Sequence, residues 1–145
     1  MVDRSEVYIE MCRAAEEVQE LWRPAHGDFY VDENGRVTCW VEPGSDQRRG
    51  GFLVRREGAV IRMSRYVWLP RQDQLIELAQ EPGRRFERTT QVFFDWVKAP
   101  YTDGKSPPSE RFESLEQLWL GFVMQRKFFR RWDGVTWSRM PLWPV

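Results

Sequence analysis

The sequence predicts an α+β protein, a small antiparallel sheet of two hairpins plus a short strand, covered by about four helices. Three observations carry that expectation. Tyr8, Met11, Cys12, Ala15, Val18 and Trp22 recur at spacings of three and four, as on the buried stripe of a helix. Two alternating stretches, each broken by a glycine-containing turn, follow at "FYVDENGRVTCW" and "FLVRREGAVIRM". Helical periodicity then returns in three segments separated by Pro and Gly.

The first helix has Asp3 as a candidate cap with Glu6 three residues on, and Pro24 stops it. In the first hairpin, Asn34-Gly35 is the strongest short turn signal, because a two-residue type I′ loop needs positive φ at both central positions. With that loop, Glu33 faces Arg36, Tyr30 faces Cys39 and Phe29 faces Trp40. In the second hairpin, a turn at Glu57-Gly58 puts Phe52, Val54, Ala59, Ile61 and Met63 on one face. Leu53, Arg55, Val60 and Arg62 then share the other. "RYVWL" reads as one more short strand.

Pro70 suits the first position of the next helix, which runs to Pro82-Gly83. The segment after it places Phe86, Thr90, Phe93 and Val97 on one side and ends at Pro100. A loop containing paired prolines precedes Ser114, whose spacing to Gln117 is a capping box. That box opens a helix with Leu115, Leu118, Trp119, Phe122 and Phe129 as its apolar stripe. "WDGVTW" reads as a turn at Asp133-Gly134 that brings Trp137 beside Trp132. Residues 1–145 are expected to form a single domain, with an apolar, proline-containing tail over 138–145.

Lys and Arg number 22, Asp and Glu 22, so the formal net charge is zero, which weighs against a strongly basic nucleic-acid binder. The charge is unevenly spread, with an acidic N-terminal third and arginines at 48, 49, 55, 56, 62 and 65. Such asymmetry arises when an acidic helix packs beside a basic sheet, and also on dipolar surfaces that meet a charged partner. Cys12 and Cys39 both lie in apolar stretches and read as reduced, buried thiols. With His26 the only histidine, no metal site or other cofactor is expected. No apolar run approaches the roughly 18–20 residues that span a bilayer, and the N-terminus is acidic where a signal peptide is basic then apolar. A cytoplasmic protein without membrane contact is expected.

Catalytic motifs are missing: there is no G-x-S-x-G, P-loop, G-x-G-x-x-G or H-E-x-x-H, so the chain is expected not to be an enzyme. Three binding surfaces remain as candidates. Arg55 and Arg62 on the second hairpin, with Arg130 and Arg131 in "RKFFRRW", suit phosphate contacts beside aromatic side chains. Cations at a helix C-terminus are also favoured by its free carbonyls with no partner at all. Met140, Leu142 and Trp143 in the tail are apolar residues that Pro141 and Pro144 keep out of regular structure. They either fill a groove of their own domain or form an interface with a partner.

The strings "YIEMCRAAEEVQELW", "GDFYV", "VWLPRQDQL", "SLEQLWLGFVM" and "WDGVTW" resemble, in that order, small uncharacterised proteins encoded by phages and prophages of Gram-positive bacteria. The resemblance runs from about Tyr8 to Trp137 and is loose from Pro82 to Glu113. It implies a cytoplasmic accessory protein that acts by binding a protein partner or a second copy of itself, with nucleic acid the alternative. It carries no catalytic residue. Within "WLPRQDQL", the polar Arg71, Gln72, Asp73 and Gln74 at a strand-to-helix junction are a further candidate binding site. The same residues also suit satisfying local backbone groups.

Overall fold

The computed structural model describes residues 2–41, 65–99 and 106–140, together with the backbone of 47–49, 52–54 and 60–62. The class is α+β, as expected, with small antiparallel sheets and six helices among the described residues. The chain divides into two compact units, Met1–Arg71 and Gln72–Val145, each taken by itself.

In the first unit, α1 spans Glu6–Ala14 and α2 spans Glu16–Gln19. The cap is Ser5 rather than Asp3: the Ser5 hydroxyl accepts from the Tyr8 N–H at 3.2 Å, and Asp3 instead accepts from the Ser5 N–H. Every member of the predicted stripe, Tyr8, Met11, Cys12, Ala15, Val18 and Trp22, is buried. The periodicity survives a break at Ala15, whose backbone leaves the helical region.

Strands β1 (Phe29–Val31), β2 (Val37–Cys39) and β6 (Val67–Leu69) form one antiparallel sheet in the order β2-β1-β6. Between them in sequence, β3 (Gln47–Arg49), β4 (Phe52–Val54) and β5 (Val60–Arg62) form a second. The two hairpins therefore belong to different sheets. Both registers also differ by one residue from expectation. Phe29 pairs with Cys39 and Val31 with Val37, and the Asp32 N–H donates to the Arg36 carbonyl at 2.9 Å, leaving a three-residue loop in which Gly35 takes φ +79°. Asp32 sets that loop: its carboxylate accepts the N–H groups of Asn34 and Arg36 at 2.9 Å each. In the second hairpin Phe52 pairs with Arg62, where the two-residue turn would have set Leu53 opposite Arg62. Its turn, with Arg55, lies outside the described residues.

The shift in the first register gathers aromatics. Tyr30 pairs with Trp68 in the β1–β6 ladder and packs on Trp40 at 5.7 Å. Trp22 closes the cluster, stacked on Trp68 and edge-on to Trp40. The Gln19 amide donates to the Trp68 carbonyl at 2.9 Å and accepts from its N–H at 2.7 Å, so a side chain completes the open edge of β6. Cys39 is exposed, contrary to expectation, while burial pushes the Cys12 thiol far above its ordinary range.

The second unit holds α3 (Gln72–Ala79), α4 (Phe86–Lys98), α5 (Pro108–Arg111) and α6 (Leu115–Phe128), then strands β7 (Arg130–Trp132) and β8 (Trp137–Arg139). Helix α3 begins two residues after Pro70 rather than on it. Helix α6 is the centre. Gln117 and Trp119 through Met124 are all buried, because α3 and α4 both pack against α6. The Ser114 hydroxyl accepts the Gln117 N–H, and the Gln117 side chain accepts the Glu113 N–H, as the capping box predicts with its return bond one residue earlier. Leu115 and Phe129, both assigned to the buried stripe, are exposed instead. On α4 the inward row is Thr89, Phe93 and Trp96, with Phe93 stacked on Trp119 at 3.7 Å. Phe86, expected on that inward side, points out. Gly121 lets this layer close, since a Cβ there would lie 3.1 Å from Phe112 and 3.2 Å from Trp96.

Candidate functional site

Arg71 is committed to its own unit. Its Nη1 donates to the Gly27 carbonyl at 2.8 Å and reaches the Asp28 carboxylate at 3.5 Å. Asp28, only 2% exposed, also accepts the Trp22 indole N–H at 3.0 Å and the Ala25 N–H at 2.9 Å. A buried carboxylate with those donors is a fastener between α2, the following loop and the end of β6. Gln72, Asp73 and Gln74 form the first turn of α3, where Asp73 suits the helix N-terminus. This junction has the geometry of structural satisfaction.

The end of α6 is different. Arg126 and Lys127 occupy its last turn, as the helix dipole favours, but Arg130 and Arg131 lie beyond it in β7. Helix and strand meet at Phe129, which caps α6 with φ 56° and ψ 40° and donates its N–H to the Met124 carbonyl. It is the one non-glycine residue with positive φ among those described. A left-handed C-terminal residue is ordinarily Gly or Asn, because a Cβ is strained there. Phe129 is nonetheless 51% exposed as a residue.

The hairpin that follows is firmly made. Trp132 pairs with Trp137, the rings 5.1 Å apart and both buried. The loop between them turns at Gly134, with φ +104°, as the Asp133-Gly134 signal predicts. Asp133 accepts the Thr136 and Val135 N–H groups at 2.8 Å and the Ser138 hydroxyl at 2.9 Å. Those backbone bonds, Thr136 first, hold its carboxyl below the ordinary carboxylate range. The ladder continues past β7 and β8, since the Met140 N–H donates to the Phe129 carbonyl at 2.8 Å.

In the β7–β8 ladder Arg130 stands directly opposite Arg139. Like charges at opposed positions destabilise a strand pair. Arg130 and Arg131 are half-buried and make further contacts. Lys127 and Arg139 are exposed and make no ion pair among the described residues. The hairpin thus brings together Phe129, Lys127, Arg130, Arg131 and Arg139 at one end of α6. Of these, Arg130 and Arg131 are the contacts the sequence singles out, Lys127 and Phe129 lie in the same "RKFFRRW" string, and the hairpin brings Arg139 to them. Phe129 was hidden because it continued the apolar periodicity of α6. Arg62 is a backbone position in β5, Met140 is half-buried, and Leu142 and Trp143 lie outside the described residues.

No helix is long and apolar enough to cross a membrane, and no group of three or more His, Cys, Asp or Glu could hold a metal ion, both among the described residues. Comparison with protein-family models, with curated protein sequences and with solved structures finds no match to this chain.

Proposed function

We propose that the protein is a non-enzymatic accessory module that binds single-stranded nucleic acid through the C-terminal end of α6 and the base of the β7–β8 hairpin. The observation that carries this reading is Phe129, an exposed ring held in left-handed backbone between Lys127 and the Arg130–Arg139 rung. An aromatic platform flanked by cations is what base stacking and phosphate contacts require together. Phosphates lying between Arg130 and Arg139 would pair with the two guanidinium groups. The buried, mutually packed Trp132 and Trp137 serve as the platform's foundation, not as stacking surfaces. Action in the cytoplasm and a phage or prophage origin, which the resemblance implies, belong to the same proposal.

The test is fluorescence anisotropy of a labelled mixed-sequence single strand across a salt series. Three phosphate contacts, to Lys127, Arg130 and Arg139, give a slope of log K against log salt of about −2 for single strands. That is roughly a 16-fold loss of affinity between about 50 and 200 mM salt. Absence of binding at the lower salt, or a slope near zero, would sink the reading.

The second reading, binding to a second copy of the chain, is favoured by the outer face of α4. There Phe86 and Phe94 are 56% and 53% exposed two turns apart. Light scattering decides it: a dimer that Phe86→Asp with Phe94→Asp converts to a monomer supports this reading, and a wild-type monomer counts against it.

A further inference from the structure

Between the end of α3 and the start of α4, the second unit has a shallow, open cleft lined by Phe122, Val92, Glu81, Arg84, Arg88 and Arg126. Three arginines against one glutamate leave two positive charges in excess (3 − 1). Glu81 lies between two of them: Oε2 is 2.8 Å from Nε of Arg84, and Oε1 is 3.2 Å from Nη2 of Arg126. Arg126 is steadied from below, its guanidinium 5.8 Å from the centre of the Phe122 ring. Arg88 makes no hydrogen bond or ion pair through its side chain among the described residues.

We propose that this cleft binds a dianionic phosphate group, with Glu81 holding the position while it is empty. Two excess positive charges match one phosphate monoester or inorganic phosphate. The guanidinium fork is the side chain best shaped for the oxygens of such a group. The Glu81 carboxylate already marks where an oxyanion sits between Arg84 and Arg126. Exposed ion pairs of this kind contribute little to stability, so moving Glu81 aside costs little. A bound dianion gains what Glu81 cannot reach, the third arginine. The first turn of α4 adds to this, since its capping residue Arg85 supplies no side-chain bond to the free N–H groups. A small metabolite and the terminal phosphate of a nucleic-acid strand share this chemistry, and the proposal does not rest on the single-strand reading.

Inorganic phosphate is the first probe, titrated by calorimetry and by the arginine Nε–H resonances at constant ionic strength, with chloride as the control. Saturable binding is expected, with shifts concentrated at Arg84, Arg88 and Arg126. Arg88→Gln, which disturbs no contact, is expected to weaken binding about tenfold, the size of one charge-assisted contact. Glu81→Gln, which removes the competing charge, is expected to strengthen it several-fold. Equal effects of phosphate and chloride, or identical affinities for wild type and Arg88→Gln, would overturn the proposal. So would an absence of saturation in both wild type and Glu81→Gln. A second arm compares 5′-phosphorylated with 5′-hydroxyl oligonucleotides. Tighter binding of the phosphorylated strand that Arg88→Gln abolishes assigns the phosphate to a strand end. Phosphate binding without that preference assigns it to a small molecule.

Discussion

Replacing Phe129 by glycine and, separately, by alanine separates the cost of its backbone from the use of its ring. Both variants remove the aromatic side chain, but only glycine relieves the left-handed conformation. That conformation costs a residue with a Cβ about 1–2 kcal/mol. Glycine's greater freedom in the unfolded chain takes back about 0.5–1 kcal/mol. Phe129→Gly should therefore be more stable than Phe129→Ala by about 0.5–1 kcal/mol. Within a helix the order is the reverse, alanine leading by about 1 kcal/mol. The half-buried ring contributes about 1 kcal/mol of burial that both variants lose. Relative to wild type, alanine then costs about 1 kcal/mol and glycine close to nothing.

Thermal unfolding followed by circular dichroism resolves this as a separation of about 2–4 °C between the two variants. The same samples enter the anisotropy assay. If the ring stacks on a base, both variants lose about 1–3 kcal/mol of binding, roughly 5- to 150-fold in affinity. Glycine thus keeps the fold while losing the ligand, which a purely structural role for Phe129 does not allow. An alanine variant at least as stable as the glycine variant refutes the strained cap. Wild-type affinity in both variants refutes the stacking platform.

Gly121→Ala pushes a methyl group against Phe112 and Trp96 at about 3.1–3.2 Å. A net loss of roughly 1 kcal/mol is expected from overpacking, despite alanine's better helix propensity, and denaturant melts measure it. Asp28→Ala strips the acceptor from the Trp22 indole and from Arg71 inside the first unit, at a cost of about 3–5 kcal/mol, with a change in tryptophan fluorescence. Arg71→Gln lowers stability with no effect on ligand affinity if that junction is structural, and a selective loss of binding would reinstate it as a site. Asp133 has a folded-state pKa below its unfolded value, so its contribution to the hairpin is complete above about pH 4 and disappears as pH falls through the folded value. Carboxyl chemical shifts should titrate below those of an unfolded reference, and Asp133→Asn should abolish that part of the acid dependence. A thiol-reactive dye should label Cys39 in the native protein and Cys12 only after unfolding.

The legible parts of the sequence were those fixed by local rules. The stripe from Tyr8 to Trp22 is buried as its spacing predicts, because one helical face meets one sheet. The Ser114–Gln117 cap and the Trp132–Trp137 pairing are short-range chemistry and form as read. Registers failed by one residue in both hairpins, since a turn signal fixes a bend but not the count of loop residues. At Asn34-Gly35 the competing force was the Asp32 carboxylate, which draws in the N–H groups of Asn34 and Arg36. Faces failed where a helix end left its core: Leu115 and Phe129 fit the period of α6 but lie at its two ends, beyond the packing of α3 and α4. Arg71 looked like a site in sequence because the partner that engages it, Asp28, is 43 positions away.

The two units differ in where local and global preferences disagree. In the first, the buried Asp28 carboxylate has backbone, indole and guanidinium donors and Gln19 completes the edge of β6, while the buried Trp40 and Trp68 indole N–H groups have no partner among the described residues. In the second, features that local preference alone does not favour gather around the end of α6 and the β7–β8 hairpin. A bulky aromatic sits where glycine belongs, its ring faces water, and two arginines oppose each other across a ladder. Each has a low-cost remedy: glycine at 129, a polar side chain in place of the ring, or an acid at 139. The strained cap at Phe129 sits beside the well-satisfied Asp133 turn, the kind of local exception from which a functional hypothesis is drawn. The proposed single strand would engage these features together, its phosphates pairing with the arginines and its bases covering the Phe129 ring.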